Sequence, residues 1–191
     1  MHQSTKVLTM GLLSLLGGCR SSLPPITSEA SVDLPRFMGD WYVIANIPTS
    51  LERDAHNAVE SYRLDTDGSI ATTFTFRDGG FESKVKRYCP RGFVRDEQSK
   101  AIWDMQFIWP IKADYRIVYV SPDYQRTIIG REKRDNVWIM ARTPQISDAE
   151  LKDLRERVAR EAYDMSKLSL VPQQWPEAAN APARSAEEPC K

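Results

Sequence analysis

Gly39-Asp40-Trp41-Tyr42-Val43-Ile44-Ala45-Asn46-Ile47 decides the fold. A glycine, an aromatic pair and a mostly apolar run read as an extended strand. Moving outward, the same kind of segment recurs. Ala58–Asp65, Ser69–Arg77, Phe81–Val94, Ala101–Ile108, Tyr115–Ser121, Arg126–Arg131 and Val137–Arg142 join Trp41–Ile47 to make eight short β-type runs. Asp67-Gly68, Asp78-Gly79-Gly80, Pro122-Asp123 and Asp135-Asn136 separate several of them, as hairpin turns do. Eight strands with short links predict an all-β, up-and-down antiparallel sheet. Closing it into a barrel leaves no exposed edge.

A helix is expected after the barrel. Ser147-Asp148-Ala149-Glu150 is a capping box, with Ser147 as N-cap and Glu150 reaching back. Leu151, Leu154, Val158 and Ala162 form an apolar stripe suited to packing on the outside of the barrel. Leu168-Ser169-Leu170-Val171 reads as a ninth short strand. Barrel and helix are thus assigned to residues 36–172, and the Pro-, Ala- and Glu-rich residues 173–191 to an unstructured tail.

The N-terminus reads differently. Lys6 precedes an apolar run, Val7 to Leu16, too short to span a bilayer as a mature helix. Leu16-Gly17-Gly18-Cys19 then resembles a bacterial lipobox, which implies a signal peptide over residues 1–18 and acyl chains on Cys19. Arg20, rather than Asp, implies sorting to the outer membrane. Residues 19–35 are expected to be a flexible tether. Loss of Lys6 leaves 25 basic and 26 acidic side chains, a net charge of −1. With no basic run, nucleic acid is not an expected partner.

Three ordered motifs point to a family. Gly39-Asp40-Trp41-Tyr42 resembles the Gly-x-Trp-Tyr signature of lipocalins, and Ser121-Pro122-Asp123-Tyr124 resembles their second motif. Trp138-Ile139-Met140-Ala141-Arg142-Thr143-Pro144 resembles the third. Gln106-Phe107-Ile108-Trp109-Pro110 and Asp164-Met165-Ser166-Lys167 make the nearest resemblance the bacterial lipocalins related to apolipoprotein D, over Leu34 to Gln174. The resemblance implies a non-covalent carrier of a fatty acid or lysophospholipid, facing the periplasm, as a monomer or weak dimer. It also implies that Gly39, Trp41 and Arg142 close one end of the barrel. An arginine over an indole face gains about 0.5–2 kcal/mol.

Alternation supplies the expected ligand-binding set. An inward Trp41 turns Val43 and Ala45 inward, and an inward Arg142 does the same for Met140 and Trp138. The second motif turns Tyr115, Ile117 and Tyr119 inward, then Ile128 and Gly130. On the fifth strand Trp103, Met105, Phe107 and Trp109 share a face. Trp109 and Tyr115 are placed near the mouth, where polar tips meet a head group.

Catalytic groups are sparse. His56 is the sole histidine of the processed chain, and Glu60 is a single inward carboxylate rather than an acid–base pair. No metal site, cofactor or nucleophile is expected, so the chain is read as a non-enzyme. Two alternatives stand beside the carrier: a scaffolding lipoprotein with a filled barrel, and a lipocalin-fold enzyme. In an oxidising compartment Cys89 and Cys190 read as one disulfide, with two free thiols as the alternative. The resemblance favours this pairing, because many lipocalins pin a C-terminal cysteine to the fourth strand. A Cys190–Cys190 link between two chains is the competitor.

Overall fold

The computed structural model describes residues 23–175. Ten strands form one antiparallel sheet: β1 (Gly39–Ile47), β2 (Ala55–Leu64), β3 (Ile70–Asp78), β4 (Val85–Tyr88), β5 (Arg91–Val94), β6 (Ile102–Ile108), β7 (Ile111–Val120), β8 (Arg126–Gly130), β9 (Val137–Ala141) and β10 (Ser169–Leu170). Both β4 and β5 pair with β3, and β9 returns to pair with β1. The wall is therefore a closed eight-stranded barrel with β4 and β5 sharing one place. The expected continuous strand Phe81–Val94 is broken at Cys89-Pro90, where proline has no N–H to donate to a ladder. The strand expected from Tyr115 begins earlier, at Ile111.

Two apolar layers follow from the pleat. Trp41, Val43, Phe74, Trp103, Met105, Tyr115, Ile117 and Met140 face inward. Ile44, Ala45, Ile128, Ile139 and Val118 face outward, beneath helix α2 (Asp148–Arg160). The α2 capping box forms as expected, with Ser147 N donating to Glu150 Oε2 at 2.8 Å. Leu154 and Val158 are buried against the barrel. Ala162 does not extend the stripe, because the helix ends at Arg160 and Ala162 takes a left-handed φ of 60°.

Four inward placements are corrected as well. Ala45, Tyr119 and Ile128 point outward, not inward, and Gly130 has its open side toward Tyr163 in the outer layer. Register shifts between Val43 and Ala45 and between Ile117 and Tyr119 explain this. A bulge inserts one extra residue into the alternation, here Ile44 and Val118, so the side chains beyond it change face.

The segment expected to be a free tether is packed from Ile26 onward. Ile26, Val32 and Leu34 are buried, and Glu29 N and Val32 N donate to Ile117 O and Ser99 O. A short helix α1 (Leu34–Phe37) then seals one end of the barrel. At the other extreme, the beginning of the expected tail is ordered. Val171 N donates to Ile44 O, and Asn57 N donates to Pro172 O. Gln173 Nε2 reaches Val43 O at 2.8 Å and Ala58 O at 3.2 Å. Residues 169–174 thus satisfy backbone groups left open where β1 and β2 part.

Candidate functional site

The closed end is built from the expected residues. Trp41 is fully buried, and its indole N–H donates to Phe37 O at 2.9 Å. Phe37, from α1, packs on Trp41 and edge-on to Trp103. The Arg142 guanidinium carbon lies 3.7 Å from the centre of the Trp41 ring. Its N–H groups donate to the carbonyls of Asp40 (2.8 Å), Arg36 (2.9 Å), Phe37 (3.0 Å) and Met38 (2.8 Å). One arginine therefore ties α1 to β1 through the carbonyls that the closing turn leaves free. Burial lowers its pKa to about 10, so it stays charged at neutral pH. Gly39 is required here: its φ is +95°, and a Cβ would stand 3.3 Å from Arg142 Nη1.

Above this plug the barrel is half filled. Val43, Ile117 and Met140 are fully buried in the core and are not among the residues that line the cavity above it. Toward the open end a cavity of about 290 Å³ remains. Met105, Phe107, Tyr115 and Trp138, all anticipated as ligand-binding, line it together. Tyr119 is outside the barrel, beneath the Arg157 guanidinium at 4.0 Å. Trp109 does not line the cavity either. It is 82% exposed at the tip between β6 and β7, where a register shift between Met105 and Ile108 breaks the alternation that placed it inward.

Of the polar groups in the cup, Glu60 and Tyr115 were anticipated from the sequence and Glu52 was not. Glu52 lies in the loop between β1 and β2 yet is only 3% exposed, and it lines the cavity beside Glu60. It accepts from Thr49 N at 3.0 Å and from the Trp138 indole N–H at 3.1 Å. Burial raises its pKa, opposed by those donors. No periodic pattern marks a buried loop residue; an acid beside Leu51 in a short mouth loop is the only hint. Glu60 accepts from the Tyr62 hydroxyl, which lies 2.7 Å from that of Tyr115. Burial, with Glu52 adding to it, raises the Glu60 pKa from 4.5 to about 8. Burial and then Glu60 hold the Tyr115 phenol well above its ordinary range.

At neutral pH Glu60 is mainly protonated, so the inner end of the cup offers neutral hydroxyl and carboxyl groups within an apolar, aromatic wall. Such a surface favours a flexible apolar chain carrying few hydrogen-bonding groups. His56 faces away from this chemistry, with Nδ1 2.9 Å from Asp54 O and its ring edge-on to Phe81. Among the described residues no cluster of three or more His, Cys, Asp or Glu has the arrangement to hold a metal ion. Cys89 is exposed and disulfide-bonded. Cys19 and Cys190, the chain's other cysteines, lie outside the described residues, as does the expected signal peptide.

Comparison with known proteins agrees with this geometry. Residues 32–173 match the model of the lipocalin-like domain family. The temperature-induced lipocalin-1 of Arabidopsis thaliana is 30% identical over 164 residues, covering 81% of this chain and 87% of that protein. The outer membrane lipoprotein Blc of Escherichia coli K12 is 28% identical over 171 residues, covering 83% and 90%. The apolipoprotein D of Oryctolagus cuniculus is 23% identical over 168 residues, covering 83% of this chain and 84% of that protein.

Proposed function

Because the chain belongs to the lipocalin family, we propose that its barrel carries one hydrophobic, lipid-like ligand without covalent attachment. One observation carries this reading: the barrel is sealed at the Trp41–Arg142 end but holds an apolar cavity of about 290 Å³ at the other. That volume is near the lower limit of about 300–1,000 Å³ for small-molecule pockets, and suits a single acyl chain better than a bulky ring system. A scaffold with a packed barrel is disfavoured by the same open space. Glu52 and Glu60 supply two carboxylates, but each is engaged by neighbouring donors rather than aimed at a shared reactive point. They serve the cup's polarity.

Ligand exchange is the test. Phe107→Asp places a charge in the apolar wall, and Met105→Trp fills the cavity. Both variants are expected to keep their β spectrum and to lose binding of a fluorescent fatty-acid probe. Folded variants that bind the probe as the parent does would locate the lipid elsewhere.

The lipobox-like Leu16-Gly17-Gly18-Cys19 supports an N-terminal lipid anchor, and Arg20 supports an outer-membrane address facing the periplasm. Several acyl chains on Cys19 anchor stably, at about 0.8 kcal/mol per buried CH₂. Cys19→Ala is expected to leave the membrane fraction. A variant that still sediments with outer membranes in high salt would defeat the anchor. The exposed half-cystine Cys89 supports an intramolecular bond to Cys190 that pins the tail to the barrel.

A further inference from the structure

Six large apolar side chains stand exposed together at the open end of the barrel: Leu51, Val85, Phe107, Ile108, Trp109 and Ile111. They come from three neighbouring loops and strand ends, and Ile108, Trp109 and Ile111 are 71%, 82% and 70% exposed. Among the described residues only Leu23, Leu64 and Leu170 are comparable large apolar groups elsewhere on the surface. Such concentration on one rim marks an interaction surface. Tryptophan at a projecting tip suits a membrane–water interface, where its ring is half wet and half apolar.

The start of the chain points the same way. Arg134, in the loop between β8 and β9 at the open end, donates to Pro24 O at 2.7 Å. The described chain therefore begins beside this rim. Cys19 is five residues from Pro24, a reach of at most about 18 Å even fully extended. Arg53, Lys84 and Lys133 are exposed around the mouth, but so are Asp54, Glu82 and Asp135. Lys112, beside Ile111, is exposed there too, so charges of both signs ring the mouth and apolar insertion is the main hold.

We propose that the barrel sits mouth-down on a lipid bilayer, with the Ile108-Trp109 tip and Ile111 inserted into the interface, so that its ligand passes between bilayer and cup without crossing water. The insertion stands on the rim alone; the transfer step rests on the carrier reading above. Phe107 and Leu51 belong both to the cavity wall and to the exposed rim, which makes the route continuous.

The test uses the full chain with Cys19→Ser, so that no acyl anchor contributes, and vesicles of phosphatidylethanolamine and phosphatidylglycerol. Vesicles with bromine on the upper acyl carbons are expected to quench tryptophan emission, and Trp109→Phe to abolish that quenching. The pair Ile108→Ser with Trp109→Ser is expected to lower vesicle partitioning at least tenfold while leaving fatty-acid-probe binding in vesicle-free solution unchanged. Equal partitioning of parent and double variant, or quenching that survives Trp109→Phe, overturns the proposal. Self-association that is lost with the double variant, without vesicle binding, assigns the rim to a second copy and also overturns it. A parent that docks on vesicles but binds no probe refutes the carrier reading and leaves the docking intact.

Discussion

Glu60→Gln removes an ionisable group from the cup while keeping its shape. The unfolded chain ionises Glu60 near 4.5, whereas the folded barrel holds it to about 8. The folded state therefore binds more protons between those values. The resulting stability is fully present below about 4.5 and is lost as pH rises through about 8. At about 1.36 kcal/mol per pH unit, the interval sets a ceiling of about 5 kcal/mol. The cup opens to solvent at its mouth, and an effective dielectric near 20 reduces such penalties, so about 2–3 kcal/mol is the working figure. Urea titrations of parent and variant at about pH 5 and about pH 8.5 measure it, with a shared m-value as the check on two-state unfolding. The two proteins should differ little at the lower pH, and the variant should gain about 2–3 kcal/mol on the parent at the higher. Taking the difference cancels every other titration the two share. Parallel pH curves would refute a buried, mainly neutral Glu60.

Three further outcomes follow from the wall of the barrel. Arg142→Lys should cost about 3–5 kcal/mol in chemical denaturation, because an ammonium cannot donate to four carbonyls and lie flat on Trp41 at once; a loss under 1 kcal/mol would contradict that role. Gly130→Ala should destabilise by about 1–3 kcal/mol, since its Cβ would stand 2.6 Å from Tyr163 Oη, which also accepts from Arg131 N; an unchanged melting temperature would show that the helix side yields freely. Cys190→Ser should leave Cys89 as a free thiol in peptide maps and lower stability by less than the chain-entropy value of about 4.7 kcal/mol; an unaltered Cys89 disulfide would mean that another cysteine is its partner.

The legible parts of this fold were those set by chemistry at fixed points. A glycine, a tryptophan and an arginine a hundred residues apart meet at the closed end because each has one partner that fits it. The capping box at Ser147 was legible for the same local reason. Alternation also worked wherever the ladder was unbroken: Trp138 and Met140 on β9, and Arg142 just after it, share the inner face. It failed at Ala45, Tyr119, Ile128 and Trp109, each beyond a bulge or paired with a strand that carries one. A bulge leaves no reliable mark in composition, so a count of two cannot be carried across it. Glu52 was hidden for another reason, because burial in a loop depends on what the loop folds over. The packed stretch from Ile26 to Leu34 was hidden likewise, since Pro and Ser in a short segment read as a tether whether or not a barrel wall lies beside it.

The central claim is that the open half of this barrel carries a lipid. Native mass spectrometry of the protein purified from bacterial envelopes, before and after organic extraction, tests it most directly. The account predicts a one-to-one adduct with the mass of a single-chain lipid, removed by extraction, restored by incubation with a fatty acid and absent from Met105→Trp. A folded parent that carries no adduct and takes up none on incubation would contradict it.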